Sequence, residues 1–121
     1  MSSDTPYQVT FYTTRRGQSL LDEFLDELPE SHLGKVYRWI RLLEQYGPNL
    51  PRPYADVLDG PIRELRVRYG HNQYRFFYFF HGKAIIMTHG IMKKTGSVPV
   101  GNIEQAKRYR QDWIERDAPE V

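Results

Sequence analysis

The residues of this chain best suited to chemistry are cations, and they are concentrated. Residues 63–94 hold Arg63, Arg66, Arg68, Arg75, Lys83, Lys93 and Lys94 against Glu64 alone, although the whole 121-residue chain is only +2. Charge gathered in this way predicts an anion-binding surface rather than general solubility. In RELRVRYG (63–70), Leu65 and Val67 alternate with Arg66 and Arg68. A strand there buries one row and turns both arginines to the other side. If Gly70-His71-Asn72 closes a hairpin, Arg75 arrives on the neighbouring strand within reach of them. Guanidinium forks match phosphate oxygens in charge and in geometry. Arg63 and Arg68 read more simply as solvated charge paired with the acidic N-terminal half. Arg75, set inside YRFFYFF, would be costly to bury without an anion.

Three further groups stand near these cations. Lys93-Lys94 end a strand pattern just before a Gly-Ser-Val-Pro turn, where they could reach a ligand from the sheet rim or simply guard an edge. His89 lies on the same side of that strand as Lys93. A histidine there titrates near neutrality and could serve as general acid or base, although such a residue is more often a packed core histidine satisfied by a backbone carbonyl. Among many aromatics, Tyr69 and Tyr74 are the best placed to stack on bases of single-stranded RNA. With no cysteine and no ligand spacing among the four histidines, neither a metal site nor a cofactor is expected. The lack of cysteine fits a reducing cytoplasm. MSSDTPYQ reads as no secretory signal, and no apolar run approaches the roughly 20 residues of a membrane span.

The elements that must position these groups follow from periodicity. YQVTFYT (7–13) alternates as a first strand. Ser19 caps a short helix striped by Leu20, Leu21, Phe24, Leu25 and Leu28, with Asp22 three residues on. A second helix, about 31–46, carries Leu33, Val36, Tyr37, Ile40 and Leu43 and stops at Gly47-Pro48. The proline-rich stretch 48–61 reads as a loop crossing the molecule. Strands follow at about 62–69, 73–80 and 84–92; the middle one is apolar on both faces and therefore central. A last helix, about 100–116, lies on the sheet edge or its other face. The order β-α-α-β-β-β-α predicts a single α+β domain over 1–121. Its four-stranded, mostly antiparallel sheet carries the helical hairpin on one face.

Taken together, LRVRYG, NQYRFFYFF and HG-x-x-KKT, with Pro99 and a terminal helix, resemble the RelE/HigB superfamily of toxins, in particular its phage-derived HigB-like branch. The resemblance spans nearly the whole chain. It implies a RelE-like fold and a metal-independent endonuclease acting on messenger RNA, commonly at the ribosome. It also implies attack by a ribose 2'-hydroxyl to leave a 2',3'-cyclic phosphate. The implied partner is a helix-turn-helix antitoxin of the HigA type, through which alone operator DNA is bound. By position, Arg75 falls to the scissile phosphate and Arg66 to the same or the next one, with proton transfer by Lys93, Lys94 or His89. Arg63 and Arg68 would add binding charge.

Two departures from the family pattern bear on this. Glu64 occupies a place where some relatives carry a cation, which would weaken phosphate binding or make Glu64 itself the base. Ser97-Val98-Pro99 and Gly101 leave the last helix weakly started, so that it should be mobile or held by a partner. A ParE-type gyrase poison on the same fold, and an inert basic module that binds RNA or a partner, are the competing readings. ParE-like chains generally lack these strand cations.

Overall fold

The computed structural model describes residues 5–93 and 96–116. Its elements are β1 (Gln8–Phe11), α1 (Leu20–Asp26), α2 (Glu30–Tyr46), β2 (Ala55–Asp59), β3 (Ile62–Tyr69), β4 (Asn72–His81), β5 (Ala84–Lys93) and α3 (Val100–Arg116). The sheet runs β1-β5-β4-β3-β2, with β1 parallel to β5 and every other pair antiparallel. The expected α+β class holds, but among the described residues the sheet has five strands where periodicity gave four. The extra one, ADVLD, lies inside the proline-rich segment. Its prolines flank the strand without interrupting it, and an edge strand needs a ladder on one side only.

Local signals act as the sequence implied. The Ser19 hydroxyl accepts the Asp22 N–H at 3.1 Å at the start of α1. Gly47 closes α2 at φ +54°, where a Cβ would also come within 2.3 Å of the Tyr7 ring. Tyr37 does not join the buried stripe; it is exposed, and Trp39 packs on the core instead. On the open side of β1, the Glu44 carboxylate accepts the Val9 N–H at 2.9 Å.

The sheet is covered on both faces. Leu65, Val67, Phe76, Tyr78, Ile85 and Met87 meet Leu21, Leu25, Val36, Ile40 and Leu43 of the helical hairpin. On the other face Ile62, Phe77, Phe79 and Ile86 meet Ala106, Ile103, Tyr109 and Trp113 of α3. The last helix therefore needs no partner to hold it. Tyr12 donates to Asp112, and Lys107 pairs with Asp59 at the end of β2.

A β-bulge decides what β5 shows to each face. Phe77 pairs with His89 and Tyr78 with Met87, which leaves Thr88 as an extra residue. Ahead of it Ile85 and Met87 face the hairpin; beyond it His89 and Ile91 face α3. Gly90 then sits opposite Phe76, whose ring would meet a Cβ at 2.7 Å. Gly90→Ala is expected to cost roughly 1–3 kcal/mol, because the displaced ring is fully buried and held by Phe24. Equilibrium urea denaturation would read this as a lower midpoint with an unchanged slope.

Candidate nucleic-acid interface

Beyond the part of the sheet that α3 covers, three strands bring their polar residues together. Arg66 stands directly opposite Arg75, Arg75 opposite Ile91, and Gln73 lies between Arg68 and Lys93. The 69–72 hairpin sets the first pairs and the Thr88 bulge sets the last. Four cations from β3, β4 and β5 thus share one patch at the open end of one face.

Two arginines opposed across a ladder repel. Glu64, whose side chain is only 1% exposed, lies between them. Its Oε2 accepts from Arg66 Nε at 2.8 Å, and its Oε1 is 3.6 Å from Arg75 Nη1. Asp56 of β2 adds a second carboxylate, 3.3 Å from Arg66 Nη2 and 3.1 Å from Arg52 Nε. Burial pushes the Asp56 carboxyl up, but the Val57 N–H that donates to it and the Arg52 and Arg66 guanidinium groups hold it below its ordinary range. Arg75 is clamped from the other side: its Nη2 donates to Gln73 Oε1 and to the Gly96 carbonyl, each at 3.0 Å. About a third of the Arg66 side chain is exposed, against 9% for Arg75. Arg66 is therefore the outer cation and Arg75 the inner one. Arg68 is fully at the surface, and no carboxylate among the described residues pairs with it.

His89 is nearby but sealed. It lies between Phe77 (ring centroids 4.6 Å) and Tyr109 (5.9 Å), with Nδ1 3.0 Å from the Thr88 hydroxyl. Burial lowers its pKa to about 4, so the imidazole is neutral at physiological pH. A folded pKa below the unfolded value near 6.5 means that the unfolded chain binds the extra proton. Stability from this residue is complete above about pH 6.5 and is lost as pH falls toward 4. Between pH 7 and pH 4.5 we expect roughly 2–3 kcal/mol of destabilisation that His89→Phe lacks, read by denaturation at both pH values. A parallel pH response in the two proteins would refute this placement.

A model of the phage-derived protein Gp49-like family matches residues 23–111, which include every strand of this patch. The chain belongs to the phage-derived Gp49-like family. No curated protein sequence matches it. Among solved structures it is similar to a chain of the RelBE2 toxin–antitoxin complex of Mycobacterium tuberculosis, at 18% identity and a TM-score of 0.51, over 73% of this chain and 99% of that one. It is also similar to a chain of the archaeal RelE–RelB complex of Pyrococcus horikoshii OT3, at 20% identity and a TM-score of 0.49, over 77% and 99%. The Gp49-like chain thus has a RelE-like fold, as its strand motifs implied.

On this Gp49-like scaffold the structure sorts the residues singled out from sequence. Arg66, Arg68, Arg75 and Lys93 share the patch, while Lys94 lies outside the described residues. Arg63, Tyr69 and Tyr74 project to the hairpin face. Arg63 lies over the Phe80 ring at 5.2 Å, and Tyr69 stacks on His32 at 4.0 Å. Tyr74 is buried, with its hydroxyl 2.6 Å from His32 Nδ1. Tyr74 cannot be a base platform, and neither Tyr69 nor Arg63 reaches the cation patch. The period of two, which put Arg66 outward, necessarily put Arg63 and Tyr69 on the opposite side. Sequence reasoning passed over Gln73, although its place two residues before Arg75 on a strand already marked it as a neighbour.

Proposed function

We propose that this Gp49-like protein is the toxin of a type II toxin–antitoxin pair, of the HigB-like branch, and that it cuts messenger RNA at the ribosome without a metal. The observation that carries the reading is the placement of Arg66, Arg75 and Lys93 side by side at the open end of one sheet face. Cleavage begins when a ribose 2'-oxygen attacks the adjacent phosphorus and gives up its proton. The bond to the 5'-oxygen breaks, that oxygen is protonated, and the products are a 2',3'-cyclic phosphate and a 5'-hydroxyl. Charge accumulates on the non-bridging oxygens along this path, and fixed cations stabilise it more than they stabilise the substrate.

Arg66 meets the phosphate first. Arg75 acts from beneath, where partial burial strengthens its field. Glu64 and Gln73 fix the two guanidinium groups in advance, so little reorganisation remains for the reaction itself. Proton transfer falls to Lys93 or Lys94, since His89 is enclosed by Phe77 and Tyr109. A helix-turn-helix antitoxin of the HigA type would neutralise the protein in the cytoplasm and carry the pair to operator DNA. No helix among the described residues is long and apolar enough to cross a membrane.

Induced expression tests the reading. Growth arrest should come with messenger RNA fragments that end in 2',3'-cyclic phosphate. Arrest with intact messenger RNA and damaged or unlinked DNA would replace the nuclease by a ParE-type gyrase poison. Expression with no arrest and no cleavage would leave only a basic binding module.

A further inference from the structure

β2 pairs with β3 only as far as Ala55 and Leu65; one residue on, the Arg66 N–H donates to the Tyr54 carbonyl at 2.7 Å. From Val67 onward the outer edge of β3 has no strand beside it among the described residues. A cavity of about 210 Å³ opens there, between Trp39 of α2 and Tyr54 on one side and Arg66, Arg68 and Gln73 on the other. The two rings are 5.8 Å apart and inclined at 52°. Lys35 closes the top, with its ammonium 4.8 Å from the Trp39 ring and donating to the Arg68 carbonyl. We propose that this cavity holds a nucleobase of the RNA strand whose phosphate lies on Arg66, and so selects the base beside the cut. The proposal rests on the endoribonuclease reading above.

Three observations favour a base over a bare anion or a peptide. The cavity has half-buried aromatic faces, and a flat π-system gains from stacking where a phosphate does not. It adjoins the phosphate patch directly, since Arg66 lines both and Gln73 touches Arg75. Its polar wall is also one-sided. Arg75 can only donate, so the Gln73 atom facing it is the amide oxygen, and Gln73 turns its NH2 donors elsewhere. Lysine and arginine add donors and no acceptor. A wall of donors suits an edge made of acceptors, such as O6 and N7 of guanine, and disfavours adenine, which places an amino group beside N7. The expected preference is guanine over adenine.

Trp113→Phe would leave Trp39 as the one tryptophan of the full chain, since the sequence has two. Short 2'-O-methyl oligoribonucleotides, which bind but cannot be cut, should quench its fluorescence. A guanine oligomer should bind roughly tenfold more tightly than an adenine one, and Trp39→Ala should remove about tenfold of the affinity. Arg68→Ala, at an exposed site, should weaken binding several-fold and lessen the base preference at mapped cuts.

An abasic oligomer that binds as well as the guanine one would overturn the proposal, leaving a phosphate site alone. Quenching by a short polyglutamate and not by RNA would overturn it in favour of an acidic partner. The two readings fail separately. Base-dependent quenching without any RNA cleavage removes the nuclease and keeps the cavity; cleavage that Trp39→Ala and Arg68→Ala leave unchanged in rate and position removes the cavity and keeps the nuclease.

Discussion

Arg75→Ala is expected to abolish growth arrest and to slow RNA cleavage by about 100- to 1,000-fold, the usual cost of losing one preorganised transition-state donor. The size of the effect follows from where this arginine sits. It is the inner cation of the patch, 9% exposed, and its fork is spoken for by Glu64, Gln73 and the Gly96 carbonyl. Truncation removes the charge and also releases the chain that follows β5 from its anchor. Arg75→Lys keeps the charge but cannot span those partners, so it should recover only a small part of the rate. Arg63→Ala is the matched control: it removes a cation of the same segment that lies over Phe80 on the hairpin face. It should leave cleavage within about twofold, in keeping with a surface change away from the site. Retained cleavage by folded Arg75→Ala would remove this residue from the mechanism.

Glu64 is expected to give the second large effect, in two parts. Its carboxylate is enclosed and serves two arginines. Removing one member of a buried ionic group leaves the others uncompensated, which costs about 3–5 kcal/mol. Glu64→Leu should approach that figure. Glu64→Gln keeps the shape and loses the charge, so Arg66 and Arg75 face each other with no counterion between them. Added salt should then restore part of the stability of Glu64→Gln, with little effect on the parent protein. The functional consequence separates positioning from proton transfer. With one negative charge fewer, Glu64→Gln should bind RNA as tightly or more tightly while cleaving it more slowly. The pH profile of the remaining cleavage should keep its shape. A profile that loses its acid limb would make Glu64 the base and overturn its role as a strut.

Much of this molecule could be read from short-range pattern. Ser19 and Gly47 mark helix ends because caps and left-handed turns depend on one or two residues. The period of two in LRVRY sends Leu65 and Val67 inward and Arg66 outward, and the double-sided apolar run of β4 requires a central place. The family motifs lie in the same strands, so membership was legible with them. The edge strand β2 was hidden because proline suggests loop wherever its neighbours in space are unknown. Tyr37 looked like part of a helical stripe, since periodicity gives the angle of a side chain and says nothing of where the sheet ends.

The sequence by itself determined the local elements, the acidic and basic blocks, and the alternation that commits each strand residue to a side. Tertiary structure alone decided which committed residues meet. It placed Arg66 opposite Arg75, inserted one extra residue at Thr88 so that His89 turns under α3, and sank Glu64 between two guanidinium groups. Glu64 looked like a defect in a basic site because one strand shows only its own order of charges. Pairing with β4 brings a second cation across the ladder, and the repulsion between the two is what gives a buried carboxylate its place.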